Sequence, residues 1–195
     1  MTSLSVESPA SPAQTGVWVG IAAITMSFAA YSSALIVRQG ANPDWVHFTL
    51  PPILFVNTLV VVASSATLYL ARARSGAKVD QSASGGAIDA PHLTWLYVTI
   101  LLGFLFLAGQ ILAWRNLAGQ GLTLASSPSS SFFYLLTAMH GLHLLGGLAG
   151  LLYVVYRVRR SSAERAASAY KAASLYWHFM TVLWLYLFAM LATRI

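Results

Sequence analysis

The chain contains no cysteine, which excludes disulfides, thiolate metal sites and thiol nucleophiles. Charge is almost as scarce. Only 8% of residues are charged, against about 25% in an average soluble domain. The acids are Glu7, Asp44, Asp80, Asp89 and Glu164, and all of them fall outside the long apolar runs. No carboxylate therefore lies inside those runs, where an ion pump or proton relay would usually need one. Basic residues are missing from the first fifteen positions, which are rich in Ser and Pro. A signal peptide needs a positive segment before its apolar core, so residues 1–15 are expected to be a disordered tail ahead of a retained helix.

What the chain has in excess is apolar length. Hydrophobic residues make up 57% of it. A helix needs roughly 20 apolar residues to cross a bilayer, and five segments qualify, at about 16–37, 48–71, 94–114, 129–156 and 173–192. Pro51 and Pro52 are expected in the first turn of the second, where proline costs least. The predicted fold is an all-α membrane protein, a five-helix bundle formed by residues 16–195. A flexible cytoplasmic linker is expected at about 72–93, around the SASGGA run.

The loops predict an orientation. Arg72, Arg74, Lys78, Arg157, Arg159, Arg160, Arg165 and Lys171 fall on one side, and Arg38, Arg115 and Arg194 on the other. Basic loops stay in the cytoplasm. The N-terminus is thus expected inside and the C-terminus in the periplasm, and the formal charge of +6 needs no nucleic-acid partner. Trp18, Trp45, Trp95, Trp114 and Trp177 lie near predicted helix ends and read as interfacial anchors.

Three histidines, His140, His143 and His178, fall within the spans. Intramembrane ionisable groups are costly, which makes each a functional candidate, and imidazole invites a haem or metal. On the predicted boundaries, His143 lies roughly 20 Å from the cytoplasmic end of its helix and His178 only about 8 Å from the same side. A shared haem needs both at one level. His140 and His143 alone would leave a metal short of ligands, so neutral imidazoles bonding across helices, or meeting a partner subunit or lipid headgroup, is the preferred reading. Gly146 and Gly150 form a small-xxx-small pair that admits close approach. The serines at 126, 127 and 129–131 have no carboxylate beside them for a hydrolase triad and read as loop and cap residues.

These residues resemble a family. SFFYLLTAMHGLHLLGG at 131–147 and YWHFMTVLWLYLF at 176–188 are similar to the signatures of subunit III of haem-copper terminal oxidases. LPPILFVNTLVVVASSATLYLA at 50–71 and AWRNLAGQGL at 113–122 are similar to its intervening segments. The resemblance implies the short, five-helix bacterial form. It also implies a non-catalytic subunit of the bacterial inner membrane that holds no haem, copper or other metal and has no catalytic residue. Such a subunit packs on catalytic subunit I and the other oxidase subunits, binds phospholipid in a cleft, and sustains proton uptake by its partner. His140, His143, His178, Trp177, Arg115, Gly146 and Gly150 are then candidates for lipid or subunit contact. Two departures stand out: Ile24 and Thr181 occupy places where the family often has an intramembrane carboxylate, so the carboxylate that a direct part in proton movement would use is absent from both places, and the structural role is left intact.

The resulting expectation is a component of a cytochrome c oxidase acting in aerobic electron transport. A quinol oxidase subunit III and an accessory subunit of nitric-oxide reductase are the near alternatives, since donor and acceptor are chosen on other chains. A stand-alone di-haem membrane cytochrome would need level histidine pairs on facing helices. A stand-alone transporter would need a polar pathway and internal repeats.

Overall fold

The computed structural model describes residues 12–41, 44–79, 90–160 and 163–195. They form five helices: α1 Pro12–Ala41, α2 Ile53–Val79, α3 Ala90–Gly119, α4 Pro128–Arg160 and α5 Ala163–Arg194. Each is long and apolar enough to cross a membrane. All five run past the C-terminal ends of the apolar segments; α2 begins at Ile53, later than its expected start, and α5 begins ten residues before its expected start. Hydropathy marks only the part of a helix that sits in hydrocarbon. The Ala-rich run after Ala163 has high intrinsic helix propensity and extends the helix past it. The expected tail and linker lie partly outside the described residues. Where they overlap, at 12–15, 72–79 and 90–93, the chain is helical.

The two prolines do not open α2 from within, as the sequence reading expected. Pro51 and Pro52 precede its first helical residue, and their carbonyls accept from Leu54 N and Phe55 N at 3.0 and 3.1 Å. Residues 45–50 before them are non-helical and bond to the end of α5. Trp45 Nε1 and Gln39 Nε2 donate to the Arg194 carbonyl at 3.0 and 3.1 Å, and Phe48 N donates to Ile195 O at 3.0 Å. Arg38 grips Asp44 through two bonds of 2.9 and 2.7 Å, and this holds the exposed Asp44 carboxyl below its ordinary range.

The α3–α4 connection is built from local rules. Leu122 N bonds Leu117 O and Gly121 N bonds Ala118 O, each at 3.0 Å. This is the paired closure that ends many helices, with glycine in the left-handed conformation it requires. Gly121 supplies it at φ 83°. α4 then starts with a reciprocal cap. Ser130 N donates to Ser127 Oγ at 3.2 Å, and Ser127 N donates to Ser130 Oγ at 3.1 Å, with Pro128 in the first helical position that suits it.

α5 packs on α1, α2 and α4, α3 packs on α2 and α4, and α1 meets α4 as well as α5. The bundle is apolar outside, and its apolar core encloses a set of buried polar side chains. Val19, Met26, Leu59, Tyr69 and Leu101 are exposed, while Asn57, Ser64, Thr99, Gln110, Thr137, His140, Ser174 and Thr181 are buried. Lipid tails supply no hydrophobic force between helices. Association therefore rests on close packing and interhelical hydrogen bonds, and polar groups belong inside.

Candidate functional site

Three tryptophans carry indole N–H groups into the bundle, and each meets a hydroxyl on a facing helix. Trp177 of α5 donates to Ser64 Oγ of α2 at 3.1 Å. Trp184 of α5 donates to Thr58 Oγ1 of α2 at 3.0 Å. Trp114 of α3 donates to Thr137 Oγ1 of α4 at 3.0 Å. Each hydroxyl spends its own proton on a carbonyl of its helix: Ser64 on Val61 at 2.7 Å, Thr58 on Leu54 at 2.8 Å and Thr137 on Phe133 at 2.7 Å. Such back-bonding is how Ser and Thr are satisfied within a helix. It fixes the oxygen and leaves a lone pair for the indole.

Further pairs set the register. Phe55 meets Phe188 edge-on at 5.0 Å, Ser65 Oγ lies 2.5 Å from His178 Nδ1, and Tyr170 donates to Leu68 O at 2.8 Å. Numbers rise along α2 as they fall along α5, so the two helices run antiparallel. α2 is also tied to α3, through Asn57 Nδ2 to Phe106 O at 3.3 Å and Thr67 Oγ1 to Thr99 Oγ1 at 2.9 Å.

Trp177 occupies the centre. It is fully buried. A methyl group on Gly103 of α3 would fall 2.7 Å from its ring, and one on Gly147 of α4 would fall 3.2 Å from it. Two glycines thus make room for an indole that reaches α2, α3 and α4 at once. This corrects the interfacial reading of Trp177, which assumed that α5 begins near residue 173. Trp18 is 57% exposed, as an anchor would be. Trp114 is committed to the interior bond above, and Trp45 to the end of α5.

The histidines also differ from expectation. With α4 ending at Arg160 and α5 starting at Ala163, His143 and His178 lie about 26 and 22 Å from those ends, nearly level. Tyr176 donates to the His143 carbonyl at 3.0 Å, as level residues can. The two histidines are therefore not at the unequal depths that the expected boundaries implied. What separates the histidines is direction. His140 lies between Phe106 and Trp184, with ring centroids at 5.8 and 5.1 Å. His143 faces Phe28 of α1 at 5.8 Å, and His178 faces α2. His143 Nδ1 sits 2.7 Å from the Met139 carbonyl. A carbonyl only accepts, so Nδ1 carries the proton. Among the described residues no three His, Cys, Asp or Glu gather as metal ligands, and the three imidazole rings pack against different neighbours.

Nothing lies within 4 Å of a methyl group added at Gly150, and at Gly146 the Tyr176 hydroxyl lies 3.9 Å away. Both glycines line a cleft of about 530 Å³ between α1, α4 and α5, with Gly147, Tyr153 and Arg157 on α4 and Tyr176 on α5. Arg157 donates to Tyr153 Oη at 2.6 Å. Arg115 is exposed near the opposite end of the bundle and takes no part in the cleft. Sequence reasoning missed Trp184, Gly103 and the role of the α2 hydroxyls. The signal was present: Asn57 and Thr58 recur seven residues later as Ser64 and Ser65, a polar stripe along one helix face.

Residues 21–193 match the family described as cytochrome c oxidase subunit III. The chain is similar to a probable cytochrome c oxidase subunit 3 of Mycobacterium tuberculosis, 34% identical over 172 residues, covering 84% of this chain and 77% of the relative. It is similar to cytochrome c oxidase subunit 3 of Corynebacterium diphtheriae, 33% identical with 83% and 76% covered. It is also similar to that of Synechocystis, 30% identical with 89% and 72% covered.

The indole–hydroxyl bonds are expected to be energetically coupled. Ser64→Ala should cost about 0.6–2 kcal/mol of stability in the wild-type background, the range for interhelical bonds in membranes, and close to nothing once Trp177→Phe has removed the donor. Thermal unfolding of the four detergent-purified variants measures this. An equal cost in both backgrounds would show that the bond contributes nothing.

Proposed function

The chain belongs to the cytochrome c oxidase subunit III family, and we propose on that footing that it is the non-catalytic third subunit of a bacterial terminal oxidase that reduces oxygen. It is a multi-pass membrane protein of a multi-subunit oxidase complex. In the proposed arrangement it packs on catalytic subunit I in the inner membrane, supports assembly and keeps proton uptake by its partner from failing during turnover. Haem and copper sit on the partner chains. The observation that carries this reading is the use of the intramembrane histidines: His143 bonds the Met139 carbonyl and packs on Phe28 of α1, while His178 meets Ser65 of α2. At Ile24 and Thr181, side chains that cannot carry charge point the same way. Ile24 is buried in the apolar core, and the Thr181 hydroxyl returns to its own helix at Trp177 O, 3.2 Å away.

The cleft is proposed to hold a phospholipid. Gly146 and Gly150 on its floor leave width for acyl chains, and Arg157 stands where a phosphate would be met by a cation. The arginines at 157, 159 and 160 all lie at the end of α4, proposed to face the cytoplasm, where such residues favour anionic lipid.

Extraction in mild detergent with an affinity tag on this chain should yield a complex whose visible spectrum contains haem, while the chain purified alone shows none. Lipid analysis of that complex should find phospholipid that Arg157→Leu depletes. A stoichiometric haem band or copper in the isolated chain would overturn the non-catalytic assignment, and unchanged lipid in the variant would remove Arg157 from the lipid site.

With the N-terminus in the cytoplasm and the C-terminus in the periplasm, the α4–α5 loop faces inward. Single cysteines at Ser162 and Thr193, probed on intact cells with a membrane-impermeant thiol reagent, should label at Thr193→Cys and not at Ser162→Cys. The reverse pattern would invert the topology.

A further inference from the structure

We propose that Gln110 of α3 and His140 of α4 hold an ordered water molecule between them inside the bundle. Both residues are buried, Gln110 at 3% and His140 at 0% exposure. Neither end of the Gln110 amide and neither nitrogen of the His140 ring has a hydrogen-bond partner among the described residues. Apart from Ser32, no other buried side-chain polar atom among the described residues lacks a partner. In hydrocarbon each unpaired donor or acceptor is expensive.

The two residues face the same seam. Phe106, one turn before Gln110, touches the His140 ring. Trp114, one turn after it, bonds Thr137, which lies one turn before His140. α3 and α4 run antiparallel here, so Gln110 falls between these contacts, level with the stretch from Thr137 to His140. Residues four apart share a helix face, which puts Gln110 on the side of α3 turned toward α4.

The groups complement one another through water and not by themselves. They make no direct bond within 3.5 Å. A neutral imidazole offers one donor and one acceptor, and the amide offers a donor and an acceptor. A water accepts from one and donates to the other, and buried waters typically bridge groups of this kind with two to four partners. The Phe106 and Trp184 rings pack on the His140 ring with centroids at 5.8 and 5.1 Å, and an N–H on the second nitrogen can rest weakly on a π face. Ser32 is likewise buried without a partner. Its hydroxyl can reach the carbonyl one turn back by simple rotation, so it needs no water and is left out of the site.

Cryo-electron microscopy of the intact oxidase complex carrying this chain, at a resolution that shows ordered water, tests the site directly. The expected result is a density peak within about 3.2 Å of both the Gln110 amide and a His140 nitrogen, absent when the same complex carries Gln110→Leu. The wild-type map decides the matter even if the variant fails to assemble. Side chains bonded directly to each other, or a dry contact between them, would overturn the proposal.

Discussion

An indole N–H inside a bilayer has no solvent to bond, and the bundle is arranged around that constraint. Trp114, Trp177 and Trp184 each reach a Ser or Thr oxygen already anchored to its own helix. The anchoring matters because a freely rotating hydroxyl could leave its acceptor turned away. With its proton held by a carbonyl one turn back, the oxygen presents a lone pair in a fixed direction. The same chemistry occurs at two interfaces, α2–α5 and α3–α4, and each bond pins one level of an antiparallel pair.

Register and close approach follow from it. Once Trp177 must reach Ser64 on α2, its ring has to pass α3 and α4, and Gly103 and Gly147 are where it passes. Asn57 meets α3 in the same way, bonding the Phe106 carbonyl across a gap that Gly109 leaves open. Polar groups that would suggest a conduction path in isolation are thus consumed in holding helices at set distances. That is consistent with the proposed role, in which this chain is a scaffold for lipid and for a neighbour and the redox chemistry belongs elsewhere.

Much of the fold was legible in the sequence, because span length and hydropathy are direct readouts of bilayer thickness. Five helices, their order, the serine cap of α4 and the scarcity of intramembrane charge all followed from composition and spacing. Helix ends were not legible. The stretch from Ala163 to Ala172 is too polar to register as a span and still continues α5, and that error displaced His178 and Trp177 by some 15 Å on the helical rise. Two conclusions built on depth failed with it: Trp177 as an interfacial anchor, and the unequal levels of His143 and His178. The partners of each histidine were beyond reach for a different reason. Which of several nearby faces an imidazole turns toward depends on interhelical packing, and apolar periodicity is silent on that when every face is apolar. The paired repeat of Asn57–Thr58 and Ser64–Ser65 was the one local sign of the α2–α5 seam.

The central claim is that the polar interior, and His178 in particular, holds helices together and takes no part in oxygen reduction. The most direct test is the initial rate of oxygen consumption per haem in oxidase carrying His178→Leu, compared with wild type at matched content of this subunit. Losing the contact with Ser65 should lower the yield of complex containing this chain, or hasten its loss during turnover, while the initial rate stays near wild type. A collapse of the initial rate in complex that remains intact would place His178 in the chemistry and contradict the account.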